Sequence, residues 1–253
     1  MRVAASLGHL FTELPFMERF AAAKAAGFDA VEIPYPYEAS ATETRTALIM
    51  SGLEMAMMCA PPPNWTGGQR GFAAVPGLED RFRRDFDRAL RYADVLKAHH
   101  VVLLAGPADG AEARATFVAN LGWAARRAPK RSLLIEPLCA SEAPGYALSS
   151  YDAAAEIVAA VGAPNLGLLF DLWQARQITG DVLAAWAAHG HLARHVQIAG
   201  LPDRAEPPGD FDLAGFIARI EADGYKGFVG AEYLPKAETG AGLGWLEGLA
   251  ARA

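Results

Sequence analysis

Four polar side chains close short apolar runs at nearly even intervals. Glu136 ends "SLLIE", Asp171 ends "LGLLFD", Gln197 sits late in "HVQIA" and Glu232 ends "FVGAE", with separations of 35, 26 and 35 residues. A charged group directly after an apolar run is costly unless something pairs with it. Three carboxylates brought together also raise one another's pKa unless a cation intervenes. Three carboxylates and one amide oxygen form a hard-oxygen donor set, suited to Mg²⁺ or Mn²⁺ and, behind these, to Zn²⁺ or Co²⁺. The bland alternative is that each acid is separately salt-bridged or solvated in a loop. For any one residue that alternative wins; for four at matched positions a shared metal is the better reading.

The elements that must position these groups are read from periodicity. Strands are expected at 3–7, 30–34, 53–59, 100–105, 132–137, 166–171, 195–200 and 227–233. Helices are expected between them at 15–27, 40–51, 78–98, 111–127, 149–161, 180–190, 211–223 and 240–251. Ser150 and Asp210 stand as helix-start signals, and Gly27, Gly52, Gly162 and Gly224 as stops. Eight alternating units imply parallel strands joined by crossovers and closed into a (β/α)8 barrel of the α/β class, one domain over 1–253. A doubly wound sheet is disfavoured because "GHLFTELPF", not GxGxxG, follows the first strand. In a barrel the four polar residues meet at the C-terminal mouth, and the long stretch 60–77 after the third strand lies over it.

Composition narrows the function classes. The 253 residues are 52% hydrophobic and 21% charged, which supports a large core and argues against disorder. A net charge of −6 argues against a nucleic-acid surface, and the basic run Arg81–Arg91 reads as the solvated face of a helix. Two cysteines, Cys59 and Cys139, without CxxC spacing give no disulfide framework. With neither a signal peptide nor a membrane span evident, a soluble cytoplasmic protein is expected, acting on a small-molecule substrate, with a homo-oligomer plausible by analogy of fold. Among the histidines, His195 shares an inward face with Gln197 and belongs deeper in the barrel. His9 follows the first strand as a substrate-contact candidate. His99, His100, His189 and His191 read as structural or surface residues.

At these residues the chain resembles the hydroxypyruvate isomerase family, within the xylose isomerase-like barrel superfamily. The resemblance is carried end to end by "SLGHLF", "GFDAVEIPYPYE", "PPPNWTGGQRGFAAVPG", "LLIEP", "PGYALSS", "NLGLLFD", "HVQIAG", "PDRAEPPGDFD" and "YKGFVGAEYLP". It implies a divalent metal on Glu136, Asp171, Gln197 and Glu232, with Glu136 and Glu232 as the acid/base pair flanking a 2-hydroxy carbonyl substrate. The resemblance further implies proton transfer through an enediolate, as between hydroxypyruvate and tartronate semialdehyde or in a related 2-oxo acid or sugar acid. It sets Glu142, Arg204, Trp65, Arg70 and Gln174 against the substrate, and Glu32 and Glu206 look like family positions as well. From the residues alone, an Arg204 paired with Glu206 at the surface is an equal reading.

The chain also departs from the family pattern. Gln174 replaces a histidine, Met58 and Cys59 replace His-Asn, Ser6 replaces an asparagine, and Gly200 stands where an acid is common. With Met58 and Trp173 the pocket is expected to be more apolar than hydroxypyruvate requires. A sugar epimerase on the same barrel, or a metal- or ligand-binding barrel without turnover, are the alternatives. An AP-endonuclease-like phosphodiesterase would need more histidines and a basic groove.

Overall fold

The computed structural model describes residues 1–60 and 70–246. Eight parallel strands pair in sequence order and close on themselves: β1 (Arg2–Ser6), β2 (Ala30–Glu32), β3 (Glu54–Cys59), β4 (His100–Val102), β5 (Ser132–Ile135), β6 (Leu166–Asp171), β7 (Ala193–Ile198) and β8 (Phe228–Ala231). Around them run α1 (Arg19–Ala25), α2 (Ala41–Ser51), α3 (Glu79–Leu96), α4 (Gly110–Arg127), α5 (Tyr151–Val161), α6 (Leu172–Thr179), α7 (Val182–His189) and α8 (Leu213–Ala222). The barrel read from the sequence is the barrel observed.

Alternation along each strand sorts the side chains. On β6, Leu168 and Phe170 join the apolar layer that packs beneath the helices, whereas Leu169 belongs to a separate cluster with Met57, Val102 and Leu134 in the barrel lumen. Asp171 therefore points inward, and the same period turns Glu136, Gln197 and Glu232 inward at the ends of β5, β7 and β8. The outer layer is the larger, and α3 shows how it forms. Phe82, Phe86, Ala89, Ala93 and Leu96 are buried on one stripe, while Arg81 faces out and pairs with Asp85 at 2.9 Å.

Three local expectations are corrected. The segment after β6 holds two helices, not one over 180–190. Asp171 ends the strand and also caps α6, its Oδ1 accepting from the Gln174 N–H at 2.8 Å, and Gly180 at φ +76° stops that helix. The start of α8 is capped by Asp212, whose Oδ1 accepts from the Gly215 N–H at 2.9 Å, and not by Asp210. The helix expected over 240–251 begins as a 3-10 turn, Thr239–Gly242, with helix from 244 up to 246, where the described residues end.

Of the stretch 60–77, residues 61–69 lie outside the described residues. Its second half is pinned at the end of β4, where Gly71 bridges Ala105 and the buried Asn120 of α4 donates to the Ala73 carbonyl at 2.8 Å. A Cβ on Gly71 would stand 2.3 Å from the Leu104 carbonyl oxygen, so only glycine fits that crossing. Among the described residues no helix is long and apolar enough to cross a membrane.

Candidate active site

At the C-terminal mouth a cavity of about 860 Å³ opens among the strand ends. Glu136, Gln197, Glu232, Glu142, Arg204 and Arg70 line it, so six of the nine residues singled out from the sequence share one chamber. Asp171 lies just behind, 1% exposed, and Gln174 is fully buried beneath Glu142. Trp65 lies outside the described residues.

The four expected metal donors are held by different means. Asp171 spends Oδ1 on the cap of α6, which leaves Oδ2 for a cation. Gln197 donates its Nε2–H to Oε2 of Glu32 at 2.8 Å, which turns its Oε1 away, buried and without a hydrogen-bond partner among the described residues. Glu32 in turn shares a proton with Nε2 of His195 on its other oxygen, and both side chains are wholly buried. Burial pushes the Glu32 carboxyl up to about 8 and the His195 imidazole down to about 3, so both favour their neutral forms. Below the mouth, then, a neutral Glu32–His195 pair fixes the Gln197 amide.

Burial raises the proton affinity of Glu136, Asp171 and Glu232, and their mutual repulsion adds to it. The cation among them is Arg204. Its guanidinium lies 2.9 Å from Oε2 of Glu142, 3.2 Å from Oε2 of Glu232 and 3.7 Å from Oδ2 of Asp171, stacked 4.9 Å from the Trp173 ring centre. Among the described residues no three acidic, histidine or cysteine side chains converge closely enough to hold a metal as they stand. The donor chemistry nonetheless fits one, since three mutually repelling carboxylates surround an amide oxygen that lacks a partner.

Glu142 is the hub of the rim, taken by Arg70, Arg204 and the Gln174 amide together. Leu7, Phe16, Ile33, Tyr35 and Met57 add apolar surface to the lining of the same cavity. Their share in the cavity was not visible in the sequence, because apolar residues at strand ends look like any core. His9 also lines the cavity, its Nδ1 3.6 Å from Oε1 of Glu232, and burial lowers its pKa.

Residues 20–249 match the xylose isomerase-like TIM barrel family. Along 253 aligned positions the chain is 41% identical to a 2-oxo-tetronate isomerase of Cupriavidus necator, covering 97% of each chain. It is 34% identical to a hydroxypyruvate isomerase of Escherichia coli over 98% of each.

The chain belongs to the xylose isomerase-like TIM barrel family.

It is an enzyme of the isomerase type, related over nearly its full length to enzymes named for 2-oxo acid isomerisation. Among solved structures, a Brucella melitensis protein described as an AP endonuclease of family 2 superposes with a TM-score of 0.94 at 36% identity over 98% of each chain. A 3-keto-D-glucoside 4-epimerase of Escherichia coli shares the fold, with a TM-score of 0.78 at 19% identity.

The departures from the family pattern now have physical readings. Gln174 accepts from the Cys139 N–H at 2.8 Å and donates to Glu142. It thus braces Glu142 and is not itself among the cavity lining. Met58 corrects the expectation of an apolar pocket built on it, because it points outward into the layer beneath the helices; Met57 and Cys59 face the cavity instead. Trp173 lies under Arg204, and its indole N–H donates to the Pro202 carbonyl at 2.8 Å. Gly200 is forced by the loop after β7, since a Cβ there would lie 2.3 Å from the Glu206 carbonyl oxygen. Arg204 and Glu206 do not form the surface pair that the residues alone allowed: the Glu206 carboxylate accepts from the Lys236 N–H at 2.7 Å.

Proposed function

We propose that this member of the family isomerises a 2-oxo acid bearing a hydroxyl on the neighbouring carbon, with Glu136 and Glu232 as the acid/base pair. The observation that carries the reading is that these two carboxyls face one cavity and that burial raises the proton affinity of both. A carboxyl whose pKa is lifted toward neutrality can both take and return a carbon-bound proton at working pH. One glutamate removes the proton from the hydroxyl-bearing carbon while the other delivers a proton to the former carbonyl carbon. The hydroxyl proton passes to the neighbouring oxygen, so the formula is unchanged.

Glu136, Asp171, Gln197 and Glu232 would hold a divalent cation, Mg²⁺ or Mn²⁺ ahead of Zn²⁺ or Co²⁺, which when bound supplies charge to polarise the carbonyl. Arg70 and Arg204 offer guanidinium forks suited to the substrate carboxylate. A net charge of −6 disfavours a polyanionic phosphodiester backbone, so the reading follows the named isomerases and not the endonuclease description of the Brucella relative. A cavity of about 860 Å³ leaves room beyond a three-carbon acid, which makes 2-oxo-tetronate the first substrate to test and hydroxypyruvate the second. The test is turnover of these two acids and of ketoses after chelation and after Mg²⁺ or Mn²⁺ is restored. Metal-restored turnover of a 2-oxo acid supports the proposal; turnover of ketoses alone would favour a sugar epimerase.

A further inference from the structure

Arg204 occupies an unusual position for a residue whose task is only to meet substrate. Its backbone is left-handed at φ +56°, a conformation that costs a side-chain-bearing residue on the order of 1–2 kcal/mol. The loop that imposes this is tightly made. Gly200 bridges Ala205, Leu201 bridges Gly209, and the Arg204 carbonyl accepts from the Leu234 N–H at 2.8 Å, tying the loop to the segment after β8. The product of that arrangement is a guanidinium aimed among carboxylates from three other parts of the barrel. It contacts Asp171 at the end of β6, Glu232 after β8 and Glu142 on the loop after β5.

Two of those three are donors assigned above to the divalent ion. Asp171 has a single free oxygen, because Oδ1 caps α6, and it is this free Oδ2 that faces Arg204 at 3.7 Å. On Glu232, Oε2 is 3.2 Å from the same Nη2, while Oε1 lies toward His9. One nitrogen thus stands between two oxygens that a metal would need, hydrogen-bonded to the Glu232 oxygen and ion-paired at longer range with the Asp171 oxygen, so an ion entering there meets the positive guanidinium. Arg204 also carries a buried Nε with no hydrogen-bond partner among the described residues, so the side chain is not locked into this pose by a full complement of bonds.

We propose that Arg204 is a tethered cation that holds the carboxylate cluster together in the metal-free enzyme and must leave Asp171 and Glu232 when the divalent ion enters. Arg204 in this role is a positioning residue that competes with the metal. It keeps the mouth from bursting by self-repulsion and, by the same contacts, weakens metal binding. The inference rests on the proposed metal site.

The test is the affinity of the metal-free protein for Mn²⁺ alone, measured by calorimetric titration, with the thermal midpoint followed in parallel. Arg204→Gln is expected to bind Mn²⁺ about tenfold more tightly than wild type, in the usual range of coupling between linked sites. Its metal-free midpoint is expected to fall, and its rise on adding Mn²⁺ to exceed that of wild type. Arg204→Lys, which keeps the charge and loses the fork, should lie between the two and serves if the glutamine variant does not fold. Equal or weaker Mn²⁺ affinity in both variants would overturn the competition while leaving the metal site standing. Failure of wild type and variants alike to bind Mn²⁺ would overturn the metal site, and the inference with it.

Discussion

Gly230→Ala places one methyl group where the site has no room for it. Gly230 faces the lumen on β8, and a Cβ there would lie 1.7 Å from Oε1 and 2.5 Å from Cδ of Glu32. The Glu32 carboxyl must therefore move, and it is bonded to both His195 and Gln197. Disrupting two buried polar contacts costs about 1–3 kcal/mol each, and overpacking adds about 1–3 kcal/mol. The stiffer unfolded chain returns only about 0.4–1 kcal/mol. The net loss is about 2–9 kcal/mol, which for a chain of this size lowers the thermal midpoint on the order of 10 °C. Because the Gln197 amide loses its anchor, Mn²⁺ affinity should also drop, by roughly the 10- to 100-fold typical of residues that orient a metal ligand. Calorimetry of unfolding and Mn²⁺ titration check both numbers, with Gly244→Ala as control, since a Cβ there meets nothing within 4 Å. A Gly230→Ala protein within about 1 kcal/mol of wild type and with unchanged Mn²⁺ affinity would refute the idea that Glu32 orients Gln197.

Two further outcomes follow from the same contacts. Gln174→Leu should cost about 1–3 kcal/mol, because it leaves the buried Cys139 N–H without its acceptor; it should also impair turnover by releasing Glu142, read as kcat/KM against the unfolding midpoint. In the metal-free protein, stability should fall as pH rises from about 6.5 through about 8. Glu32, lifted to about 8, contributes stability present below its ordinary value and lost as it ionises in the folded state. His195, pushed down to about 3, acts in the opposite sense below its ordinary value of 6.5, so above that value the raised carboxyls dominate; Asp171 and Glu232, lifted to about 7, add to the fall in the same sense as Glu32. Thermal midpoints across this window check it, with Glu32→Gln expected to show a shallower fall than wild type; a wild-type midpoint that rises with pH there, or an unchanged slope in the variant, contradicts the assignment.

Much of the barrel was legible because a parallel strand leaves a continuous apolar run, and the polar residue that ends it is conspicuous. Asp171 after "LGLLF" and Glu232 after "FVGA" announce both the strand end and the inward face. Less legible was anything set by contact between loops. Asp171 as the cap of α6 was hidden because one residue both ends a strand and starts a helix. The brace from Gln174 to Glu142 joins the loop after β5 to α6, which no spacing encodes. Arg204 among the carboxylates depends on a left-handed residue and on the close approach at Gly200, so sequence alone left it equally placed at the surface. Met58 was misplaced for a different reason. The β2–β3 pairing shifts register between Val31 and Glu32, which moves the inward face of β3 onto Met57 and Cys59.

The central claim is that two glutamates move a carbon-bound proton. It is tested most directly by running the 2-oxo-tetronate reaction in heavy water and following deuterium at the carbons flanking the carbonyl by NMR. Wild type should incorporate solvent deuterium as product forms, and Glu136→Gln and Glu232→Gln, with their folds intact, should each lose exchange and turnover by about 10²-fold or more. Product formed by wild type without solvent deuterium, or full exchange in either variant, would contradict the two-glutamate account.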